Sequence, residues 1–383
     1  MIYLDHNATT PPLPEVIEAV TDCLRSGWGN PSSKHGFGQQ ARGALAQARA
    51  EVAALAGAQP VEVVFTSGAT EANHHALSGA LARAGAAPRV LLSATEHSGF
   101  MKAAQRLREV GIAVELLPVD GQGRLQPDAL ATALAEPAAL LSVMAANNET
   151  GVLQPVADIA AQARAAGVPF HVDATQMAGK LPLDFAGWGA DLMSMSAHKF
   201  GGPKGCGALI VRKGLSWPPL LSGQQERGRR GGTENMPGIA GFAVAARVAR
   251  ATMQPDGLRL GALRDTLEAA LRETLTGLTV FGAASPRLPN TLMLAIAGLS
   301  ADRVLDCLER QGIFASSGAA CSSGGSEASH VLRAMGVPAA DALGAVRLSL
   351  GRGNDAEQIA RVVQALSSLA PQQPSAAAAA TTH

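Results

Sequence analysis

Two short segments place an acid and an amine where each could do chemistry: His171-Val172-Asp173-Ala174-Thr175-Gln176 and Ser196-Ala197-His198-Lys199-Phe200-Gly201-Gly202-Pro203. Each closes an apolar run, so Asp173 and Lys199 are predicted to stand where two strands end. In an open α/β sheet, ligands bind in the crevice outside the carboxyl ends of the strands. An Asp and a Lys 26 positions apart on two such ends suit pyridoxal 5'-phosphate. The amine forms a Schiff base with the aldehyde, and the carboxylate keeps the pyridine nitrogen protonated so that the ring can store electrons. Alone, the Lys would read as a solvated charge and the Asp as a cap or turn residue.

Other segments supply the remaining needs of such a site. Thr66-Ser67-Gly68-Ala69-Thr70-Glu71 lies between a predicted strand and a predicted helix, so backbone N–H groups and the Thr70 hydroxyl are presented at a helix N-terminus, suited to a phosphate. Ser196 and His198, flanking Lys199, are further candidate phosphate donors. His97, in Thr95-Glu96-His97-Ser98, falls at a strand-to-helix junction, where an imidazole can stack on an aromatic cofactor and move protons. Asn148 and Gln176 are candidate donors to the cofactor's phenolate oxygen. Cys321 lies among small residues, Ser316-Ser317-Gly318-Ala319-Ala320-Cys321-Ser322-Ser323-Gly324-Gly325-Ser326, which form no stable core element; an exposed thiol on a mobile loop is expected, able to visit a buried site and leave with cargo. Cys23, Cys206 and Cys307 sit in apolar settings and are given no role.

The elements that must position these residues alternate. Strands are predicted at Val61 to Thr66, Arg89 to Ser93, Ile112 to Leu117, Leu140 to Met144 and Val168 to Val172, with helices at Thr70 to Ala84, Ser98 to Val110 and Val156 to Ala166. This βαβ repetition implies an α/β fold with a mostly parallel sheet flanked by helices. Asp191 to Ser196 and Gly207 to Val211 leave no room for a helix between them, so one of the two is expected to be antiparallel. The pattern changes near Leu258 to a long amphipathic helix, short strands (Thr279 to Phe281, Thr291 to Ile296) and a helix near Ala301 to Gln311, with a Met236 to Thr252 helix as the bridge. The expected organisation is a large domain over residues 1–255, a smaller α+β domain over 256–370 against which the first 14 or so residues pack, and a disordered tail at 371–383.

Composition is permissive for a globular enzyme: 47% hydrophobic and 16% charged residues argue against disorder. The 31 basic residues balance the 31 acidic ones, so no global field points to nucleic acid or to an anionic membrane. No apolar run approaches the roughly 20 residues of a membrane span. Four cysteines without paired spacing, behind an N-terminus unlike a signal peptide, lead to the expectation of a reducing, cytoplasmic setting.

Taken in order, Tyr3 to Pro11, Thr66 to Glu71, Ala94 to His97, Asn147 to Gly151, His171 to Gln176, Ser196 to Gly205, Gly231 to Asn235, Ser316 to Ser323 and Val346 to Arg352 resemble the cysteine desulfurases of the NifS/IscS type, in the class V aminotransferase family with the fold-type I pyridoxal phosphate architecture. The resemblance runs from Ile2 to about Leu369. It implies a seven-stranded sheet, a Schiff-base Lys199, an Asp173 paired with the pyridinium, and a His97 stacked on the ring and serving in catalysis. It also implies phenolate contacts from Asn148 and Gln176, and a phosphate site built by Ala69, Thr70, Ser196 and His198, with Thr233 reaching the neighbour's phosphate in a homodimer. Arg347 corresponds to the clamp on the substrate carboxylate, with Asn148 also near substrate, and Cys321 to the persulfide-forming cysteine. The implied reaction takes L-cysteine to L-alanine, with no metal at the site, and passes sulfur to an acceptor protein: an iron–sulfur scaffold or a thiolation relay. Where the family usually shows a run of glycines, this chain has Ser222-Gly223-Gln224-Gln225-Glu226, and Ala319 stands where Ser is more usual. Two other activities would share parts of this pattern: a selenocysteine lyase or other class V enzyme, which shares the cofactor site, and a non-catalytic sulfur-binding protein, which needs the thiol alone.

Overall fold

Seven apolar segments pair into one sheet in the order Val63–Thr66, Gly207–Val211, Leu192–Ser196, Phe170–Asp173, Leu140–Met144, Arg89–Ser93 and Ala113–Leu117. The computed structural model describes residues 1–85, 88–317 and 328–369; Cys321 and the 371–383 tail therefore lie outside the described residues. Neighbouring strands run parallel except at Gly207–Val211, which is antiparallel to both of its partners. Its direction follows from chain length: only residues 197–206 separate it from Leu192–Ser196, too few for the crossover a parallel partner needs. The interior strands are buried on both faces, as β-branched and Leu-rich runs require.

Alternate residues feed two cores. Leu141, Val143, Val172, Met193 and Ile210 join Val52 and Phe242 on one face, whereas Val64, Leu92, Leu140 and Leu209 join Ala76, Phe100 and Trp217 on the other. The Ala69–Arg83 helix follows the first strand after a two-residue turn, so its N-terminus is delivered to the same sheet end as Asp173 and Lys199. That approach needs a glycine at 207, where a Cβ would lie 2.6 Å from Gly68 Cα and 2.6 Å from the Met195 carbonyl oxygen.

A second, antiparallel sheet orders Ser316–Ser317, Val346–Ser349, Thr291–Ile296 and Leu278–Val280 over its own core of Leu267, Leu271, Leu292, Leu294, Val304 and Val362. Ile2 and Leu4 are buried in that core, and Ile2–Tyr3 pairs parallel with Ile313–Phe314. Two observations depart from the sequence pattern. The Pro14–Ser26 and Gly36–Ala56 helices precede the first strand of the central sheet, where the periodicity gave no expectation. The helices expected on either side of Pro255 are one continuous element, Met236–Thr274. An interior Pro costs about 3 kcal/mol or more. Here Ile239, Phe242 and Ala246 are buried in one core and Leu260, Leu267 and Leu271 in the other, and that burial on both sides of Pro255 outweighs the break.

Candidate active site

The carboxyl ends of the parallel strands, the start of the Ala69–Arg83 helix and the Val346–Ser349 strand enclose a cavity of about 530 Å³. Asp173 is the last residue of its strand and is buried; its Oδ2 accepts from Asn73 Nδ2 (2.8 Å) and its Oδ1 from the Thr175 amide (2.9 Å). Lys199 closes a single turn of 3-10 helix that directly follows Leu192–Ser196. Its Nζ donates to the carbonyls of Asn7 (2.6 Å) and Ala8 (2.8 Å). The amine is thus anchored by the N-terminal segment, a partner 192 positions away that no local pattern shows.

His97 caps the Ser98–Glu109 helix, its Nδ1 accepting from the Gly99 amide (3.1 Å). Burial lowers its pKa, Asp173 acting upward and Lys199 downward, so the ring is neutral at neutral pH. His198 is pushed down to about 4 by burial and by the nearby Lys199 and Lys204; its Nδ1 lies 3.2 Å from Thr9 Oγ1. Ser196, Thr70 and Ala69 border the cavity. The Ser67 amide of the same turn is already taken by the Glu71 carboxylate (2.9 Å), which also pairs with Arg230 (2.8 Å). The Ser67 amide is therefore not open to an anion, which leaves the amides at the helix start as the candidate cradle.

Arg347 comes from the second sheet. It is buried, pairs with Asp5 Oδ1 (2.7 Å), donates to the Asn148 carbonyl (3.0 Å), and has no partner at Nε among the described residues. Asn148 borders the cavity, with its main-chain carbonyl shared by Arg347 and Asn7. Gln176 borders it too, its amide held by Asn7 and Lys180. Thr233 is exposed and, among the described residues, is not one of those bordering the cavity. Cys321 falls between two described ends that both bear on the cavity: Ser316 and Ser317 border it, and Ser329 donates to Glu149, which borders it as well. Cys206 is buried, its thiol pushed up to about 12 chiefly by burial, in keeping with a structural role.

The profile of the class-V aminotransferases matches residues 2–362. The chain belongs to the class-V aminotransferase family. A cysteine desulfurase of Rhodobacter capsulatus is 46% identical over 368 residues, covering 95% of each chain, and one of Bradyrhizobium diazoefficiens is 43% identical over 370 residues, covering 96% of this chain and 94% of its own. Among solved structures, a NifS-like protein superposes with a TM-score of 0.89 at 34% identity (96% of this chain, 98% of that one). A structure described as SspA in complex with cysteine gives 0.81 at 31% identity (91% and 99%). The fold is accordingly the fold-type I architecture of this class-V aminotransferase family, whose cofactor is pyridoxal 5'-phosphate.

The residues of this class-V aminotransferase fit that cofactor. A buried carboxylate fixed by two donors, an amine one strand away and orphan amides at a helix start are complementary to a protonated ring nitrogen, an aldehyde and a phosphate. Sequence reasoning missed Asn73, Asn7, Lys180 and Glu96. Asn73 lay one helical turn beyond the cradle, a spacing that could have shown it facing the crevice. Glu96 is fully buried, with Oε1 accepting from the Met144 amide (2.7 Å) and Oε2 without a partner among the described residues. Burial, and then the Asp173 charge, hold its carboxyl well above the usual carboxylate range. Among the described residues no group of three or more His, Cys, Asp or Glu is arranged to hold a metal, and no helix is long and apolar enough to cross a membrane.

Proposed function

We propose that this chain is a cysteine desulfurase: it takes L-cysteine, releases L-alanine and leaves the sulfur as a persulfide on Cys321. The observation that carries the reading is the convergence on one cavity of Asp173 and Lys199 from the central sheet with Arg347 from the second. The bound cofactor supplies an electron sink for the substrate's Cα. Asp173 holds the ring nitrogen protonated, and the amides at Ala69 and Thr70, with Thr70, Ser196 and His198, bind the phosphate. Neutral His97, which borders the cavity, would contact the bound ring and move protons. Arg347, whose Nε has no partner among the described residues, takes the substrate carboxylate, with Asn148 beside it. The Lys199 amine removes the Cα proton and returns it at the product stage. The Cys321 thiolate attacks the substrate sulfur; the Cβ–S bond breaks, its electron pair stays with carbon, and protonation there yields alanine.

The sulfur then passes to an acceptor protein, an iron–sulfur scaffold or a thiolation relay, in the cytoplasm. The enzyme works as a homodimer, a reading supported by the Gly- and Arg-rich stretch of residues 227–235, in which Arg227, Gly228, Gly232, Thr233 and Asn235 are exposed.

The test is sulfide and alanine measured together from L-cysteine plus a reductant, for the wild type, Lys199→Ala and Cys321→Ser. Equal amounts of both products from the wild type are expected. Lys199→Ala should lose the visible absorption of the cofactor and all turnover, while Cys321→Ser should keep the absorption and make almost no sulfide. Full activity in Cys321→Ser would make the thiol a bystander and favour the lyase or transaminase reading.

A further inference from the structure

At the wall of the cavity a hydrogen-bonded hub is centred on Asn7, which is 1% exposed. Its carbonyl accepts from Lys199 Nζ (2.6 Å) and Gln176 Nε2 (2.9 Å). Its Oδ1 accepts from Lys180 Nζ (3.0 Å) and Asn290 Nδ2 (3.1 Å), and its Nδ2 donates to Thr291 Oγ1 (2.9 Å) and the Asn148 carbonyl (3.2 Å). Lys180, four residues beyond Gln176 in the turn segment that follows the strand, donates at the same time to Gln176 Oε1 (2.8 Å). Nothing in the proposed reaction uses Lys180. Its amine faces two neutral amide oxygens, with the charges of Lys199 and Arg347 close by.

An amide side chain has two ends of nearly equal shape, one accepting and one donating. Lys180 donates to the oxygen end of both amides, while the Asn148 and Asn7 carbonyls take the NH2 ends of Asn7 and Gln176, so each amide is held at both ends. The consequence at Gln176 is that the NH2 end turns to the Asn7 carbonyl, and one N–H remains for an acceptor in the cavity that Gln176 borders. The consequence at Asn7 is that its side chain is fixed from both ends, so the carbonyl that holds Lys199 is fixed with it. Burial and the two neighbouring cations push the Lys180 amine well below the usual lysine range. A neutral amine still carries two N–H bonds, enough for both oxygens.

We propose that Lys180 is a positioning residue of the cofactor site, acting through Asn7 and Gln176 on the placement of Lys199 and on the hydrogen bond that Gln176 offers the cofactor. This rests on the reading of the cavity as a pyridoxal phosphate site. Without Lys180, Gln176 Oε1 is a buried acceptor with no donor among the described residues, and only the bond from Nε2 to the Asn7 carbonyl still holds the amide, so the N–H it offers the cavity is no longer fixed.

The experiment measures equilibrium binding of pyridoxal 5'-phosphate to apoprotein by its visible absorption, with the thermal midpoint recorded for every variant. Lys180→Met should weaken binding by roughly tenfold, the scale of one buried hydrogen bond. Gln176→Ala should weaken it comparably. The double variant should be no more than about threefold worse than the poorer single variant, because residues acting through one another are not additive. Lys180→Arg, which keeps N–H donors, should recover part of the loss, and Lys180→Gln serves in place of Lys180→Met if that variant unfolds. Wild-type affinity in Lys180→Met alongside weakened Gln176→Ala, or losses that multiply in the double variant, would overturn the proposal. Unchanged binding in both Gln176→Ala and Lys199→Ala would instead overturn the cofactor-site reading itself.

Discussion

At the scale of single residues, the cavity mixes groups whose charge the fold dictates. Glu149 is buried beside Ser329, and burial pushes its carboxyl up to about 7, with the Ser329 hydroxyl and Arg347 acting the other way. The folded state therefore favours the neutral acid. Its contribution to stability is fully present below about 4.5, declines as pH rises, and is gone above about 7, an effect on the order of 3 kcal/mol for a shift of that size. Denaturant unfolding of the wild type and Glu149→Gln across that window should show a wild-type decline that the variant lacks; parallel curves would mean that Glu149 is ionised throughout. Arg347 gives a second prediction. A hydrogen bond to a charged group is worth roughly 1.5–3 kcal/mol, so Arg347→Ala should raise KM for L-cysteine roughly tenfold to a hundredfold while cofactor absorption persists. An unchanged KM would move the carboxylate clamp elsewhere, with Arg352 the next candidate.

At the scale of elements, the chain between the Gly207–Val211 strand and the Met236–Thr274 helix contains two non-glycine residues with positive φ, Glu226 (49°) and Arg227 (60°). They follow the stretch, Ser222-Gly223-Gln224, where the resemblance leads one to expect a run of glycines before Gln-Glu. A left-handed conformation with a Cβ persists only when surroundings over-determine it. The cause here is a buried, two-pronged pair: Arg49 meets Glu226 at 2.6 and 2.7 Å, and Glu226 also accepts the Phe65 amide (2.8 Å) on the edge strand of the sheet. Removing one partner of a buried pair typically costs 3–5 kcal/mol because the other charge is left uncompensated. Arg49→Met should lower unfolding free energy by about that amount. Arg49→Met/Glu226→Leu should cost clearly less than the sum of the two single variants; strict additivity would show that the pair does not hold this turn.

At the scale of the whole molecule, the chain presents Lys199 inside its cavity and Thr233 on its surface. If Thr233 serves the neighbour's phosphate, re-equilibrating inactive Lys199→Ala chains with impaired Thr233→Ala chains produces mixed dimers. One site then carries both lesions and the other combines an intact Lys199 with an intact Thr233. Activity should rise above that of either parent. No recovery despite demonstrated subunit exchange would assign Thr233 to its own chain's site or to none.

The sequence by itself determined what depends on neighbours along the chain. Apolar periodicity set the parallel strands, and two matched strand ends put Asp173 and Lys199 in one crevice, because strand direction and side-chain period follow from local pattern. The short link before Gly207 likewise announced the antiparallel strand. Only the tertiary structure decided what depends on distant chain. Whether Pro255 breaks a helix was settled by two cores burying both halves of it. The acceptors of the Lys199 amine come from Asn7 and Ala8, and the Asn7 side chain is in turn fixed by Lys180, Asn290 and Thr291, contacts spanning up to 284 positions. Such partners carry no periodic signal, since a buried polar group needs a mate in space and not at any fixed spacing in sequence.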